Sequence, residues 1–239
     1  MWVNNRINII CFLFAMSFNA NSSTPSGISL SASILGNNWT GQNTTSGTDF
    51  EASEGKQFAY SAAYHYGKFF AGLNVQGGTY EFGAKAPDRI TTTGSISNSN
   101  VKIKRSELDL VAGYFITNRI SIFLDIKGTN NNWLDENYEQ AFSGFGLGVY
   151  TAWPLSDKWS LKGSLGVISN GIVKVNDEEA GEGTSSSLDI GAMYNVSSKG
   201  KINFGIKASS QTYKFDSGQE QTHSITGVYV GYSHSFTLN

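Results

Sequence analysis

The sequence predicts an all-β fold: a transmembrane antiparallel up-and-down β-barrel of about ten strands, with eight or twelve strands as alternatives. Three observations predict it. Ten segments alternate apolar and polar residues with the period of two that characterises a strand with one apolar face. Glycine is frequent, at 27 residues, and proline is rare, at 3, as expected where every backbone amide must join a ladder. The amino terminus has the pattern of an export signal.

The first 22 residues form the predicted signal peptide. Arg6 precedes an apolar run over residues 7–18, which is too short to cross a bilayer as a helix. The small residues Ala20 and Ser22 fit a signal-peptidase site. We therefore assign residues 1–22 to a signal peptide and 23–239 to one outer-membrane β-barrel domain. Cys11, the only cysteine, lies in the middle of the signal, so neither a lipid anchor nor a disulfide is expected.

Each strand is predicted from its own alternation. In the first, Ile28, Leu30, Ala32 and Ile34 are separated by serines, so one face is apolar and the other carries hydroxyls. The ten predicted strands cover residues 27–36, 57–67, 69–76, 107–116, 120–127, 144–153, 159–167, 187–196, 202–209 and 228–236. Mean hydropathy is only −0.23. This value agrees with a membrane barrel, because only every second strand residue faces lipid.

The connections between the predicted strands differ in length. Those near residues 68, 118, 156 and 199 are short, whereas residues 37–56, 83–100, 128–140, 176–184 and 216–221 are long and polar. Outer-membrane barrels have short turns in the periplasm and long loops outside, so we expect both termini on the periplasmic side. The long segments are rich in Asn, Thr, Ser and Gly and are predicted to be mobile loops. As an alternative, the second loop holds further strand, which extends the fourth strand back to Val101 and Ile103.

Aromatic residues cluster at the ends of the predicted strands, close to the short turns and the carboxyl terminus. Any one of them could belong to an ordinary core, but their shared position favours a girdle at the membrane interface. The predicted interface aromatics are Tyr64, Tyr66, Phe69, Tyr114, Trp153, Trp159, Tyr194, Tyr232 and Phe236.

The last predicted strand, residues 228–236, resembles the carboxyl-terminal signal that the barrel-assembly machinery recognises. It alternates apolar residues and ends on the aromatic Phe236, after which three more residues follow. With this strand, the mature chain resembles small Gram-negative outer-membrane barrels of the opacity-protein and outer-membrane-protein β-barrel type. The resemblance implies localisation in the bacterial outer membrane, contact with its lipid and lipopolysaccharide, and interaction with the assembly machinery during biogenesis.

Charged residues on the opposite face of the strands are predicted to point into the lumen. A barrel of about ten strands is too narrow for a broad aqueous channel, which needs roughly sixteen strands. Opposite charges enclosed together can pair, so we expect an ion-paired polar plug, with a selectivity filter as the alternative. The predicted lumen network contains Glu107, Asp109, Asp125, Lys127, Lys162, Asp189 and Lys207.

An enzymatic function is an alternative, because omptin-type proteases are also ten-stranded and carry acidic residues and a histidine at the extracellular rim. His223, with Asp216 and Glu220 nearby, is the one rim histidine that the sequence offers. No motif of that family, or of lipid-modifying barrels, surrounds these residues. We therefore assign no catalytic residue, no cofactor and no metal site.

The leading functional hypothesis is a non-enzymatic barrel that serves envelope structure or adhesion through surface loops, whose extracellular ligand is unknown. A narrow pore for small solutes and a rim-site hydrolase, omptin-like or lipid-modifying, are the alternatives. A net charge of −2 offers no basic surface for nucleic acid. A soluble lipocalin-like barrel is the main fold alternative, but it would require an apolar interior.

Overall fold

The computed structural model describes residues 26–44 and 46–238, and over these residues it shows a closed barrel of ten antiparallel strands. The strand order around the barrel is β1-β12-β11-β10-β9-β8-β7-β6-β3-β2, while β4 and β5 form a separate two-stranded sheet. The strands are β1 (Gly27–Asn43), β2 (Thr48–Tyr66), β3 (Phe69–Phe82), β4 (Arg89–Thr91), β5 (Gly94–Ile96), β6 (Val101–Phe115), β7 (Ile120–Trp133), β8 (Tyr138–Pro154), β9 (Trp159–Val175), β10 (Glu178–Asn195), β11 (Gly200–Phe215) and β12 (Glu220–Thr237). The predicted fold class and the count of ten strands are confirmed. The predicted signal peptide, with Cys11, lies outside the described residues.

The barrel closes between its first and last strands. β1 pairs with β12 along its whole length, from Gly27 opposite Thr237 to Asn43 opposite Gln221. Both ends of the described chain therefore lie at one end of the barrel, together with the turns that follow β2, β6, β8 and β10. In outer-membrane barrels this end faces the periplasm. Pro154 is the last residue of β8, where the strand ends at a turn and a missing amide donor is tolerated.

Three of the five predicted long loops, residues 37–56, 128–140 and 176–184, are wrong, because most of their residues continue the strands, and the predicted loop 216–221 is only a four-residue turn followed by β12. β1 ends at Asn43 and β2 begins at Thr48. Short turns at residues 134–137, 176–177 and 216–219 join β7 to β8, β9 to β10 and β11 to β12. In the turn 176–177, Asn176 and Asp177 have φ values of 51° and 69°, as both central residues of a type I′ hairpin turn require. The extracellular end therefore consists of β-hairpins rather than loops. We call the parts of the strands that lead into and out of these turns the hairpin arms.

The sequence of the hairpin arms predicts loops because their apolar residues lie on the inner face of the barrel, whereas those of the membrane-spanning part lie on the outer face. Near the periplasm the apolar residues point outward, and Leu147 and Ile190 are 58% and 57% exposed. In the arms the apolar residues point inward, and Trp39 and Val173 are both 0% exposed. Strands in water need a dry interior and a wet exterior, which is the reverse of strands in lipid. We call the outward apolar surface of the strands the lipid-facing belt. Its outer edge is the level at which the apolar residues change from the outer to the inner face of the barrel.

The lipid-facing belt has the dimensions of a bilayer. On β8 the outward apolar positions run from Phe145 to Trp153, which matches the roughly nine to eleven residues of a strand that crosses a membrane. The same belt continues on the neighbouring strands, with Ile122, Leu124 and Ile126 on β7. Among the described residues, no helix is long and apolar enough to cross a bilayer.

The connection between β3 and β6, residues 83–100, is long as predicted, and we call it the strap. Its backbone is fixed across the extracellular mouth by side chains of the barrel. Asn43 Oδ1 accepts a hydrogen bond from the Asp88 amide (3.1 Å), and Gln221 Nε2 donates to the Asp88 carbonyl (2.7 Å). The Ile90 amide donates to the Tyr138 hydroxyl (2.7 Å). With Asp88 and Ile90 both buried, the strap is a fixed part of the fold.

Some inward-facing glycines lie so close to the backbone of a neighbouring strand that a side chain would not fit. This close approach predicts the effect of alanine substitutions. A Cβ at Gly146 would collide with the Val167 carbonyl oxygen, whereas a Cβ at Gly128 would meet nothing within 4 Å. Overpacking of this kind typically costs about 1 to 3 kcal/mol. We expect Gly146→Ala to lower the urea midpoint of the folded barrel and Gly128→Ala to leave it unchanged or slightly raised. Equal midpoints for the two variants would contradict the inward placement of Gly146.

Candidate functional site in the barrel interior

The extracellular part of the interior is filled by aromatic and aliphatic side chains, which we call the extracellular seal. The rings pack closely: Trp39 and Tyr80 meet edge to face with centroids 5.0 Å apart, and Trp133 and Tyr138 do so at 4.8 Å. Nine of the ten barrel strands contribute a buried side chain to the seal, and Ala180 of β10 packs against it half-buried. Its main members are Trp39, Phe50, Tyr80, Phe82, Ile103, Trp133, Tyr138, Phe142, Val173, Tyr213, Phe215 and Ile225.

Directly beneath the seal, Arg105 holds a buried polar cluster together. Its guanidinium donates to Glu107 Oε1, Asn131 Oδ1 and Gln211 Oε1, each at 2.8 Å. It also lies 5.2 Å from the ring centroid of Trp39. Arg105 is 1% exposed, so the charge is removed from water and balanced by a neighbouring carboxylate and two amides. One cation therefore ties β6 to β7 and β11.

Arg105 is absent from the predicted lumen network, although the sequence carries a signal for it. The fourth predicted strand begins at residue 107, with an extension back to Val101 and Ile103 only as the alternative. In the structure β6 begins at Val101, and Val101, Ile103, Arg105 and Glu107 all point inward at every second position. Extending the alternation by three pairs of residues would have placed Arg105 beside Glu107.

The predicted lumen charges form two ion-paired groups. In the first, Lys127 Nζ lies 2.5 Å from Asp109 Oδ1 and 3.8 Å from Glu107 Oε2, and Asn74 Nδ2 donates to Asp109 Oδ2 at 2.5 Å. This group adjoins the Arg105 cluster through Glu107. All three predicted members, Glu107, Asp109 and Lys127, are buried.

The second group lies on β9, β10 and β12. Lys162 Nζ is 3.5 Å from Asp189 Oδ2, and the Tyr229 hydroxyl donates to Asp189 Oδ1 at 2.8 Å. Lys162 Nζ also lies 4.9 Å from the ring centroid of Tyr229. The structure thus brings Lys162 and Asp189 together and adds Tyr229, which the sequence analysis did not select.

Asp125 and Lys207 are inside the lumen but form no ion pair within the described part of the chain. Lys207 Nζ donates to the amide oxygen of Gln76 at 2.7 Å. Asp125 is 5% exposed, and its Oδ1 has no hydrogen-bond partner. The expected pairing of all lumen charges is therefore wrong for these two residues.

A second apolar cluster, the periplasmic cluster, closes around the other end of the interior. It consists of Ala63, Phe70, Tyr150, Ala152 and Met193. Between it and the extracellular seal lies a cavity of about 180 Å³. The cavity is lined by six of the seven predicted lumen charges, all except Glu107.

The predicted interface aromatics all lie on the outer surface near the periplasmic turns. Several contact one another: Phe69 and Tyr114 have centroids 5.0 Å apart, and Trp159 and Tyr194 are also 5.0 Å apart. Eight of the nine are exposed, and Tyr194 is half-buried against Trp159. Their role at a membrane interface stays a prediction, for which this outward placement is the required geometry.

The expectation of an exposed rim histidine is wrong. His223 is 1% exposed, and its ring lies 4.9 Å from Tyr213, 5.5 Å from Phe50 and 5.6 Å from Trp39, measured between centroids. Neither ring nitrogen has a hydrogen-bond partner, so no carboxylate orients it, whereas Asp216 is exposed on a hairpin turn. His223 belongs to the extracellular seal and is closed off from the surface.

His223 lies in the arm of β12 beyond the lipid-facing belt, where burial and the positive charge of Arg105 lower its pKa to about 3. The unfolded chain would bind a proton there near pH 6.5, so stability should be lost as the pH falls from about 6.5 toward 3. Between pH 7 and pH 4.5 this loss amounts to about 2.5 kcal/mol.

We expect His223→Phe to remove this part of the acid sensitivity. The measurement is urea unfolding of both proteins in detergent at pH 7 and pH 4.5. Because the carboxylates are common to both proteins, their effect cancels in the difference. An identical pH dependence would contradict a neutral, buried His223.

Comparison with known proteins shows the fold. No protein-family model and no curated protein matches the sequence. The solved structure of the outer-membrane protease OmpT from Escherichia coli matches with a TM-score of 0.59 and 10% identity, over 93% of this chain and 99% of that one. The toluene transporter TodX of Pseudomonas putida matches with a TM-score of 0.37 and 10% identity, over 92% of each chain, a score too low for further comparison.

The likeness to the solved OmpT structure and the lipid-facing belt of this chain both indicate a barrel that spans a membrane. At 10% identity the likeness to OmpT extends to the fold and not to the activity. An outward apolar surface of bilayer height on a closed antiparallel barrel is the arrangement of outer-membrane proteins. The chain is an outer-membrane β-barrel.

Proposed function

We propose that the chain is a closed, non-enzymatic barrel that reinforces the outer membrane and holds a rigid polar rim at the cell surface. The extracellular seal carries this proposal, because buried aromatic and aliphatic side chains from nine of the ten barrel strands occupy the lumen above the Arg105 cluster. A solute would have to displace this packing and a buried ion pair in order to pass. Both are costly to disrupt.

The rigid rim is formed by the hairpin arms and the strap. Outward side chains bridge adjacent strands: Asn38 Nδ2 donates to Glu51 Oε1 at 2.8 Å, and Lys102 Nζ lies 2.6 Å from Glu81 Oε1. Exposed pairs of this kind add little stability, but they give the rim a mixed-charge surface that stays soluble. If the barrel also takes part in adhesion, this surface would provide the contacts.

The burial of His223 supports a non-enzymatic role. A rim hydrolase needs a base within reach of an external substrate, whereas His223 lies inside an aromatic cage. Among the described residues no cluster of three or more His, Cys, Asp or Glu side chains could hold a metal ion.

Planar-bilayer recording tests the closed lumen. We expect the purified barrel to show no steady single-channel steps. A gel of heated against unheated samples, in which a folded barrel changes mobility, would confirm that the recorded protein is folded. Large and stable steps from the unmodified protein would contradict the proposal and favour the pore alternative.

A deletion strain tests the role in the envelope. We expect it to become more sensitive to detergent and to a large antibiotic that the outer membrane excludes. Both the unmodified protein and His223→Phe should restore resistance, since the proposed role needs no catalytic group. Restoration by the unmodified protein but not by a folded His223→Phe variant would favour the hydrolase alternative.

A further inference from the structure

The interior cavity has a distinctive charge pattern. Six ionisable side chains line it: Asp109, Asp125, Lys127, Lys162, Asp189 and Lys207. Three are acids and three are bases, so the lining is neutral overall. Four of the six are joined in the ion pairs Lys127–Asp109 and Lys162–Asp189. The remaining acid, Asp125, and the remaining base, Lys207, form no ion pair within 4.0 Å among the described residues, although the charges of Lys127 and Lys207 act on Asp125 through space.

Asp125 and Lys207 face the same space from different parts of the barrel. Asp125 lies on β7 and Lys207 on β11, with β8, β9 and β10 between them. The Asp125 carboxylate is buried and its Oδ1 accepts no hydrogen bond. Lys207 Nζ donates to the neutral oxygen of Gln76, which leaves two of its three N–H donors for other acceptors. The cavity therefore offers one free acceptor and two free donors, on groups of opposite charge.

We propose that this cavity binds a small zwitterionic solute of the α-amino-acid type, with its ammonium group on Asp125 and its carboxylate on Lys207. A cation alone would satisfy Asp125 and leave Lys207 unpaired, and an anion alone would do the reverse. A zwitterion satisfies both and leaves the lumen neutral, which avoids the cost of an uncompensated buried charge. Water would fill the space without distinguishing between these ligands.

The size and walls of the cavity fit such a solute. Its volume of about 180 Å³ exceeds the roughly 150 Å³ of a cavity known to accept benzene. Phe70, Phe123 and Tyr150 line it beside the charged groups, so a short apolar side chain would have a surface to contact. Pockets with mostly apolar walls and a few placed polar groups are typical of small-molecule sites.

The solute would come from the periplasm. Phe70 and Tyr150 line the cavity and belong to the periplasmic cluster, whereas no residue of the extracellular seal lines it. A solute from the periplasm would have to pass the periplasmic cluster but not the extracellular seal, so binding is independent of whether the lumen conducts.

Calorimetric titration of the folded barrel in detergent tests the proposal. The probes are glycine, L-alanine and L-valine, together with ethylamine and propionate, which each carry one of the two charged groups of alanine. We expect at least one amino acid to bind saturably. Ethylamine and propionate should bind at least about tenfold more weakly, because each loses a hydrogen bond to a charged group. Saturable binding of none of the three amino acids, or equal binding of alanine and either analogue, would overturn the proposal.

Two variants identify the groups. Asp125→Asn should weaken amino-acid binding about tenfold and leave propionate unaffected, whereas Lys207→Gln should weaken it similarly and leave ethylamine unaffected. Asp125→Asn should fold, since it removes a buried charge that forms no ion pair within 4.0 Å among the described residues, and Lys207→Gln keeps a donor for Gln76. Glu182→Gln and Lys214→Met, on the outer surface of neighbouring arms, serve as matched controls. Unchanged binding in both lumen variants would overturn the assignment.

Discussion

Arginine in place of Leu147 or Leu110 should lower the free energy of unfolding in bilayers by about 2 to 4 kcal/mol. Both leucines point outward within the lipid-facing belt and are 58% and 45% exposed. Leu147 is paired with Leu124, and Leu110 lies between Leu73 and Ile126. A guanidinium at either site would replace contact with acyl chains by a charge in hydrocarbon, without a polar neighbour at its level.

The matched control lies on the same strand and the same face. Ser143 points outward from β8 just beyond Phe145 and is exposed, and substitution there by arginine should change stability by less than about 0.5 kcal/mol. The measurement is the urea dependence of folding into lipid vesicles. A folded fraction unaffected by arginine at both Leu110 and Leu147 would show that this face does not contact lipid.

The membrane-spanning half of the fold was predictable from sequence because its signal is local. A strand in lipid must place an apolar residue at every second position, as Ile120, Ile122, Leu124 and Ile126 do on β7. This rule depends on the solvent outside the barrel and not on which strands are neighbours. All ten barrel strands were therefore found from their own residues.

The arms were not predicted because the same rule operates there with the opposite phase. Asn130 and Asn132 point outward on β7 beyond the belt, while Asn131 and Trp133 point inward. A run of four such residues with three asparagines has the composition of a loop, since asparagine is disfavoured in strands. Only pairing with β6 and β8 makes the segment a strand.

The sequence predicted which charged residues point into the lumen better than it predicted which of them contact one another. Alternation alone selects the inward charges, but which of them meet depends on closure of the barrel. Arg105 bonds to Gln211, 106 positions away in the chain, and Lys207 bonds to Gln76, 131 positions away. His223 was misplaced for a related reason: Asp216 and Glu220 are close in sequence, but the inward phase of the β12 arm directs His223 into the seal.

Replacing Arg105 with methionine should cost about 3 to 5 kcal/mol of unfolding free energy, the largest effect that we expect from one substitution. Methionine fills much of the same space but removes three hydrogen bonds of 2.8 Å. It leaves the buried Glu107 carboxylate with Lys127 at 3.8 Å as its nearest cation. Either the fold would be destabilised or water would enter to solvate Glu107, in which case bilayer recordings would gain conductance that the unmodified protein lacks.

A double substitution separates loss of charge balance from loss of packing. If Arg105 acts by neutralising Glu107, Arg105→Met combined with Glu107→Gln should recover at least about 1 kcal/mol relative to Arg105→Met alone, because no orphaned carboxylate remains. Arg119→Met is the control for the residue type: Arg119 lies at a periplasmic turn, 4.2 Å from the ring centroid of Trp153, and its loss should cost no more than about 1 kcal/mol. Equal urea midpoints for Arg105→Met and Arg119→Met would show that the Arg105 cluster does not stabilise the closed lumen.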